Sequence, residues 1–81
     1  MELPKLRNLS LNSNQITAIE HISHLHSLET LVLRNNKITM ISGLEGLKKL
    51  RWLDISENQL TQVSGLSDQS VSLEKLFLTG N

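Results

Sequence analysis

The sequence predicts an α/β solenoid: a parallel concave β-sheet of about four strands, backed by convex turns of 3₁₀ or irregular type. Three observations predict it. One phrase recurs four times: Leu6-x-x-Leu9-x-Leu11-x-x-Asn14-x-Ile16, Leu28-x-x-Leu31-x-Leu33-x-x-Asn36-x-Ile38, Leu50-x-x-Leu53-x-Ile55-x-x-Asn58-x-Leu60, and Leu73-x-x-Leu76-x-Leu78-x-x-Asn81. The asparagines step by 22, 22 and 23 residues, and self-similarity at such a period marks stacked units that bury one another's apolar faces. Within each unit the apolar spacing then changes from two to three, which separates a strand from the turns that follow it.

The units read as repeats over 6–27, 28–49 and 50–72, with a partial fourth at 73–81. Each opens with a strand whose alternate leucines face inward: Leu9/Leu11, Leu31/Leu33, Leu53/Ile55 and Leu76/Leu78. Strands stacked in register lie about 4.8 Å apart. The asparagine comes where the chain leaves the strand. A short amide there can bond backbone groups that have lost their sheet partners, so Asn14, Asn36, Asn58 and Asn81 are predicted to form a structural ladder.

The remainder of a repeat carries apolar residues every third position, Ile16, Ile19, Ile22, Leu25 and then Ile38, Ile41, Leu44, Leu47. That spacing suits short 3₁₀-type turns, in which side chains at i and i+3 eclipse. The third repeat keeps the pattern through Leu60, Val63 and Leu66 and then departs, with Gln69 and Ser70 at an apolar position and one residue inserted. A polar loop is predicted at Ser67–Ser72. Leu3 stands where Leu25 and Leu47 stand, and the chain closes at Asn81, before the convex half of its repeat. No polar cap is written at either end, as solenoids require, so the chain reads as a window of a longer array whose ends are covered by further repeats or caps.

Composition narrows the function. Eight basic residues balance eight acidic ones, for zero net charge, whereas nucleic acid demands a clustered cationic surface. Direct nucleic-acid binding is therefore disfavoured. The absence of cysteine removes disulfides, thiolate nucleophiles and Cys-ligated zinc. It leans the chain toward an intracellular, cytoplasmic setting, with nuclear or ciliary placement compatible. No segment approaches the roughly 20 apolar residues of a membrane span, and none reads as a signal peptide. The sequon Asn8-Leu9-Ser10 falls inside a strand and carries no weight.

With the phase fixed, Ile41-Ser-Gly-Leu44-Glu-Gly-Leu47-Lys-Lys-Leu50 and Leu3-Pro4-Lys5-Leu6 resemble the 22-residue, intracellular subclass of leucine-rich repeats. A regulatory subunit of type-1 protein phosphatase typifies that subclass. Similar repeats occur in a spliceosomal ribonucleoprotein subunit, an axonemal dynein light chain and ciliary scaffolds. The resemblance covers nearly the whole chain and implies the fold. It implies a surface design rather than an activity: a scaffold that binds another protein, with a phosphatase regulatory subunit or a structural part of a ciliary or ribonucleoprotein assembly as alternatives.

The register shows where such a partner would sit. Three positions per strand face solvent on the concave side. They form the columns Asn8, Thr30, Trp52, Lys75; then Ser10, Val32, Asp54, Phe77; then Asn12, Arg34, Ser56, Thr79. A loop column follows, Ser13, Asn35, Glu57, Gly80. The chain has one Trp, one Phe and no Tyr, and both aromatics fall in these columns on adjacent strands. Trp52 and Phe77, ringed by Arg34, Asp54, Val32, Glu57 and Lys75, fit an interaction hot spot bordered by polar groups. The plainer reading has Trp52 lying along the sheet to cover Val32. Aromatics on an otherwise polar face favour the first. At the strand entrances Arg7, Glu29, Arg51 and Glu74 alternate in sign and are read as lateral ion pairs that hold register.

Catalysis and metal binding find little support. His21, His24 and His26 cluster on the first convex segment, where the next repeat has Gly43, Gly46 and Lys48, and no Cys or Glu is placed to complete a tetrahedral site. They read as surface histidines. No nucleophile has an oriented base beside it, and single glycines make no phosphate cradle. The chain is expected to be no enzyme and to need no cofactor.

Overall fold

A computed structural model describes residues 5–20, 22, 24–61 and 72–81. Four strands, β1 (Asn8–Ser10), β2 (Thr30–Val32), β3 (Trp52–Asp54) and β4 (Lys75–Phe77), form one parallel sheet in chain order. The register follows the repeat without slippage: Leu9, Leu31, Leu53 and Leu76 are consecutive partners. A one-residue slip would turn every inward leucine to water, so the alternation pins the register.

The strands are three residues long, shorter than the five-residue x-Leu-x-Leu-x segments predicted. The chain turns three residues beyond each of them. Ser13, Asn35, Glu57 and Gly80 have φ of 57°, 59°, 57° and 78°, and a left-handed residue ends an extended run. Lateral hydrogen bonds nevertheless continue through the turn. Leu11 N–H donates to the Val32 carbonyl at 2.8 Å, and Ser13 N–H to the Arg34 carbonyl at 2.9 Å.

The core is the predicted leucine set. Leu28, Leu31, Leu33, Ile38, Ile41, Leu44, Leu47, Leu50, Leu53 and Ile55 are all buried, whereas Leu6, Leu9, Leu11, Ile16 and Ile22 at one end and Leu73, Leu76 and Leu78 at the other are half-buried. Val63, Leu66 and the Ser67–Ser72 loop, apart from Ser72, lie outside the described residues. The convex side holds isolated turns rather than 3₁₀ helices among the described residues. Single i→i+3 bonds recur at Leu25 to Ile22 and Leu28 to Leu25, and again at Leu47 to Leu44 and Leu50 to Leu47. The eclipsed spacing of three is thus satisfied one turn at a time, as the poor geometry of long 3₁₀ runs requires. Gly43, at φ +74°, lets two repeats approach closely: a Cβ there would overlap the carbonyl oxygen of Ile19.

The asparagines join the repeats at the strand exits. Asn58 Nδ2 donates to the carbonyls of Ile55 at 3.0 Å and Ser56 at 3.1 Å in its own repeat, and to Leu33 at 2.9 Å in the one before. Its Oδ1 accepts from Ile38 N–H at 3.0 Å. Asn36 does the same with Leu33, Arg34 and Leu11, and accepts from Asn14 and Ile16. Asn81 repeats the scheme with Leu78, Ile55 and Leu60. Each amide bonds backbone groups at the strand exit, and where such a group is buried and has no other partner, leaving it unpaired would cost about 1–3 kcal/mol.

Candidate protein-binding face

The solvent-facing side of the sheet is set by the pleat: with Leu31 and Leu53 buried, their chain neighbours must point away from the core. Trp52 is 41% exposed, which for a large apolar side chain on a strand is the feature that calls for an explanation. Phe77 is half-buried beside it. Register pairs Trp52 with Lys75 and Asp54 with Phe77, so the two rings are diagonal neighbours, within reach across a parallel pair. Their centroids are 5.0 Å apart with the planes tilted by 41°, inside the favourable range for aromatic pairs.

The polar groups expected around the rings are present but do not all act alike. Arg34 Nε lies 3.7 Å from Asp54 Oδ2, an ion-pair distance without a hydrogen bond. Asp54 is fixed instead by accepting the Ser56 N–H at 3.0 Å, so its carboxylate is held while Arg34 remains adaptable. Val32 is half-buried and pairs in register with Asp54. Lys75 and Glu57 are exposed on either side of the aromatic pair. Glu57 also occupies the left-handed position of its turn, a conformation that costs a non-glycine residue about 1–2 kcal/mol.

One expected member of the face is not on it. Alternation places Ser56 in a solvent column, yet it is buried at 3% exposure. The strand ends at Asp54, so by Ser56 the chain is already turning, with its carbonyl taken by Asn35 N–H and Asn58 Nδ2. The other members of its column, Asn12, Arg34 and Thr79, are exposed as alternation predicts.

The strand entrances contribute more than a register device. Arg7 Nη2 lies 2.9 Å from Glu29 Oε2, Arg51 Nη1 3.8 Å from Glu29 Oε1, and Arg51 Nε 2.8 Å from Glu74 Oε2. The series is one continuous alternating chain. The hydrogen bond from Arg51 holds the Glu74 carboxyl below its ordinary range, and Glu74 in turn raises the Arg51 guanidinium. A shallow depression of about 300 Å³ runs between this chain and the rings, lined by Glu29, Thr30, Arg51, Trp52, Glu74 and Lys75. Glu29, Thr30, Arg51 and Glu74 are additions to the residues that the sequence places around the rings. The signal available in the sequence is their place one position before, or in the same column as, Trp52.

Among the described residues no group of three His, Cys, Asp or Glu side chains could hold a metal ion. His24 and His26 are exposed on the convex side, and His21 lies outside the described residues. No helix among the described residues is long and apolar enough to cross a membrane.

A repeating parallel strand, an asparagine at each exit and turns behind define a leucine-rich repeat solenoid. Comparison with family models agrees: a model of leucine-rich repeats in two copies matches residues 4–46, and a leucine-rich repeat model matches residues 42–81. The chain belongs to the leucine-rich repeat family. Repeats of this family generally mediate protein–protein interaction and are typically non-catalytic. Comparison with curated proteins and with solved structures finds no match.

Proposed function

We propose that this protein is a non-catalytic scaffold that binds a partner protein on the solvent-facing side of its sheet, through Trp52, Phe77, Val32 and the flanking Arg34, Asp54, Glu57 and Lys75. The observation that carries the reading is the aromatic pair, 5.0 Å between centroids, with Trp52 exposed on a sheet face that is otherwise polar. The core does not need either ring there. Held against each other, they present a rigid apolar patch that loses little side-chain freedom on binding, which is how a few aromatics come to dominate an interface.

The test is co-purification from cell extract with the wild-type chain and with a Trp52→Ala/Phe77→Ala double variant. Partner capture is expected to fall sharply with the double variant. In titrations with the recovered partner, Trp52→Ala should weaken binding by about 2 kcal/mol or more while the unfolding midpoint barely moves. Unchanged capture would remove this face from the function. Loss of folding would instead make Trp52 a packing residue that covers Val32. The resemblance to the phosphatase regulator supports an enzyme-steering role inside the cell, and recovery of a phosphatase catalytic subunit would specify it. Axonemal or splicing components would specify an assembly role instead.

A further inference from the structure

The apolar patch on the sheet face is built around a carboxylate. Asp54 lies in register between Val32 and Phe77, and Trp52, two residues earlier on β3, shares its side of the sheet. A protein surface that covers Trp52 and Phe77 therefore covers Asp54 as well. The other charges of the face are placed differently. Arg34, Glu57 and Lys75 are exposed, and the long basic side chains can keep their heads in water at the rim of an interface. Asp54 is short, and only 15% of its side chain is exposed.

The bonding of this carboxylate is incomplete. Oδ1 accepts from Ser56 N–H at 3.0 Å, which fixes the group in place. Oδ2 has Arg34 Nε at 3.7 Å, too far for a hydrogen bond. Arg34 lies in the column on the strand-exit side, so it leaves the ring side of Asp54 open. Water can serve Oδ2 while the face is free. Beneath a docked partner it becomes a covered charge with no donor, which is strongly unfavourable. A partner that fits must bring the donor with it.

The rings select its sign and shape. An aromatic face is the negative side of the ring quadrupole, so it attracts cations and disfavours carboxylates. A guanidinium is planar, stacks on aromatic faces and offers a fork of donors to a carboxylate, whereas an ammonium is a strongly hydrated point charge. Granted that the sheet face is the binding face, on which this rests, we propose that the partner inserts an arginine there. Its guanidinium donates to Asp54 Oδ2 and stacks against the Trp52 and Phe77 rings. Arg34 is then an internal counter-ion that the incoming arginine displaces. It gives way readily, because a pair this exposed contributes at most about 1 kcal/mol.

Trp52 is the only tryptophan of the 81 residues, so its fluorescence and its indole N–H resonance both read the site. The probes are acetylated and amidated pentapeptides, Gly-Leu-X-Leu-Gly, with arginine, lysine, citrulline or glutamate at X. The arginine peptide is expected to bind about fivefold or more tighter than the citrulline one, which keeps the shape and loses the charge. Lysine should fall between them, and glutamate should be weakest. Asp54→Asn retains an acceptor for Ser56 N–H, so the turn survives, and it should bring the arginine and citrulline peptides level. Arg34→Gln should tighten the arginine peptide about twofold or more by removing its competitor.

No response to the arginine peptide, or equal binding of arginine and citrulline, overturns the proposal. So does a preference that survives Asp54→Asn. Weaker binding by Arg34→Gln overturns it too, since Arg34 would then be closing over Asp54 as its permanent partner. Lysine equal to arginine overturns the choice of a planar cation. The binding face itself is read separately, by partner capture with the Trp52→Ala/Phe77→Ala variant. Capture that falls while the peptides show no arginine preference leaves the face standing and removes only the arginine. Unchanged capture removes both.

Discussion

The first and second repeats are written in the same phrase and do not share the same environment. Leu28, Leu31 and Ile38 are 0% exposed, whereas their counterparts Leu6, Leu9 and Ile16 are only half-buried. Nothing in the residues separates the two sets. Among the described residues the second repeat has neighbours on both sides and the first is packed on one. In a solenoid, stability is a sum over repeats and over the interfaces between them, so a leucine acquires its value from the adjacent repeat rather than from its own.

Truncation is the strongest way to break that comparison. Leu53→Ala should cost about 3–4 kcal/mol in urea unfolding, as for a fully buried leucine whose cavity cannot collapse. Leu9→Ala, at the half-buried end, should cost about 1 kcal/mol by proportion to the apolar area removed from water. Equal losses would mean that burial does not follow the number of flanking repeats.

The asparagines should divide the same way with smaller values. Asn58→Ala strips partners from the Leu33, Ile55 and Ser56 carbonyls and from Ile38 N–H. About 1–3 kcal/mol of destabilisation is expected, because Ile38 N–H is left buried and unpaired while the three carbonyls each keep one other donor, from Asn36, Asn81 and Asn35. Asn14 is exposed and bonds only the Leu11 and Asn12 carbonyls through its amide. Asn14→Ala should therefore cost under about 1 kcal/mol. Differential scanning calorimetry of the two variants would check the ranking.

Backbone strain offers a contrast that should not depend on position. Ser13 in the first repeat and Glu57 in the third sit at the same left-handed φ of 57°. Replacing either with glycine relieves the left-handed penalty but adds unfolded-state entropy, for a net gain of about 0.5 kcal/mol each. Similar gains at both sites would sharpen the comparison, since strain is local while burial is shared. A gain confined to one site would show that the neighbouring repeat helps hold the turn.

The smallest expected effect concerns the charge chain. Glu74 is held below the ordinary carboxylate range by its hydrogen bond from Arg51. A carboxyl with a depressed value in the folded state binds its proton more weakly there than when unfolded. The stabilisation is therefore fully present above the ordinary range, and it is lost as pH falls through the depressed value. Comparing the wild type with Glu74→Gln, the difference in unfolding midpoint should be constant near neutrality and decline as pH falls from the ordinary glutamate value through the depressed one. Because the pair is exposed, the difference should also be small and shrink in high salt.

The order of the strands, their register and the inward leucines were legible because a period of 22 leaves one arrangement that buries every apolar stripe. The asparagine ladder was legible because a short amide recurs where backbone groups lose their sheet partners. Trp52 and Phe77 stand out by elimination, as apolar residues at positions the core does not use. Ser56 was misplaced because alternation was carried two residues past the last paired strand position, into the turn. Thr30 was read only as a column member, and Glu29, Arg51 and Glu74 only as entrance ion pairs; that they line one depression beside Trp52 depends on adjacent columns, which touch only once the strands are stacked.

By itself the sequence determined the solenoid, its phase and the short set of variable positions displayed on one face. These follow from periodicity, which is local and repeats along the chain. The tertiary structure alone decided how deeply each copy of the phrase is buried, how closely the two aromatics lie against each other, and the distances at which the expected entrance ion pairs form. Each of these depends on side chains 22 to 25 residues apart meeting across the sheet, and the distances and tilts at which they meet are set only when the repeats stack.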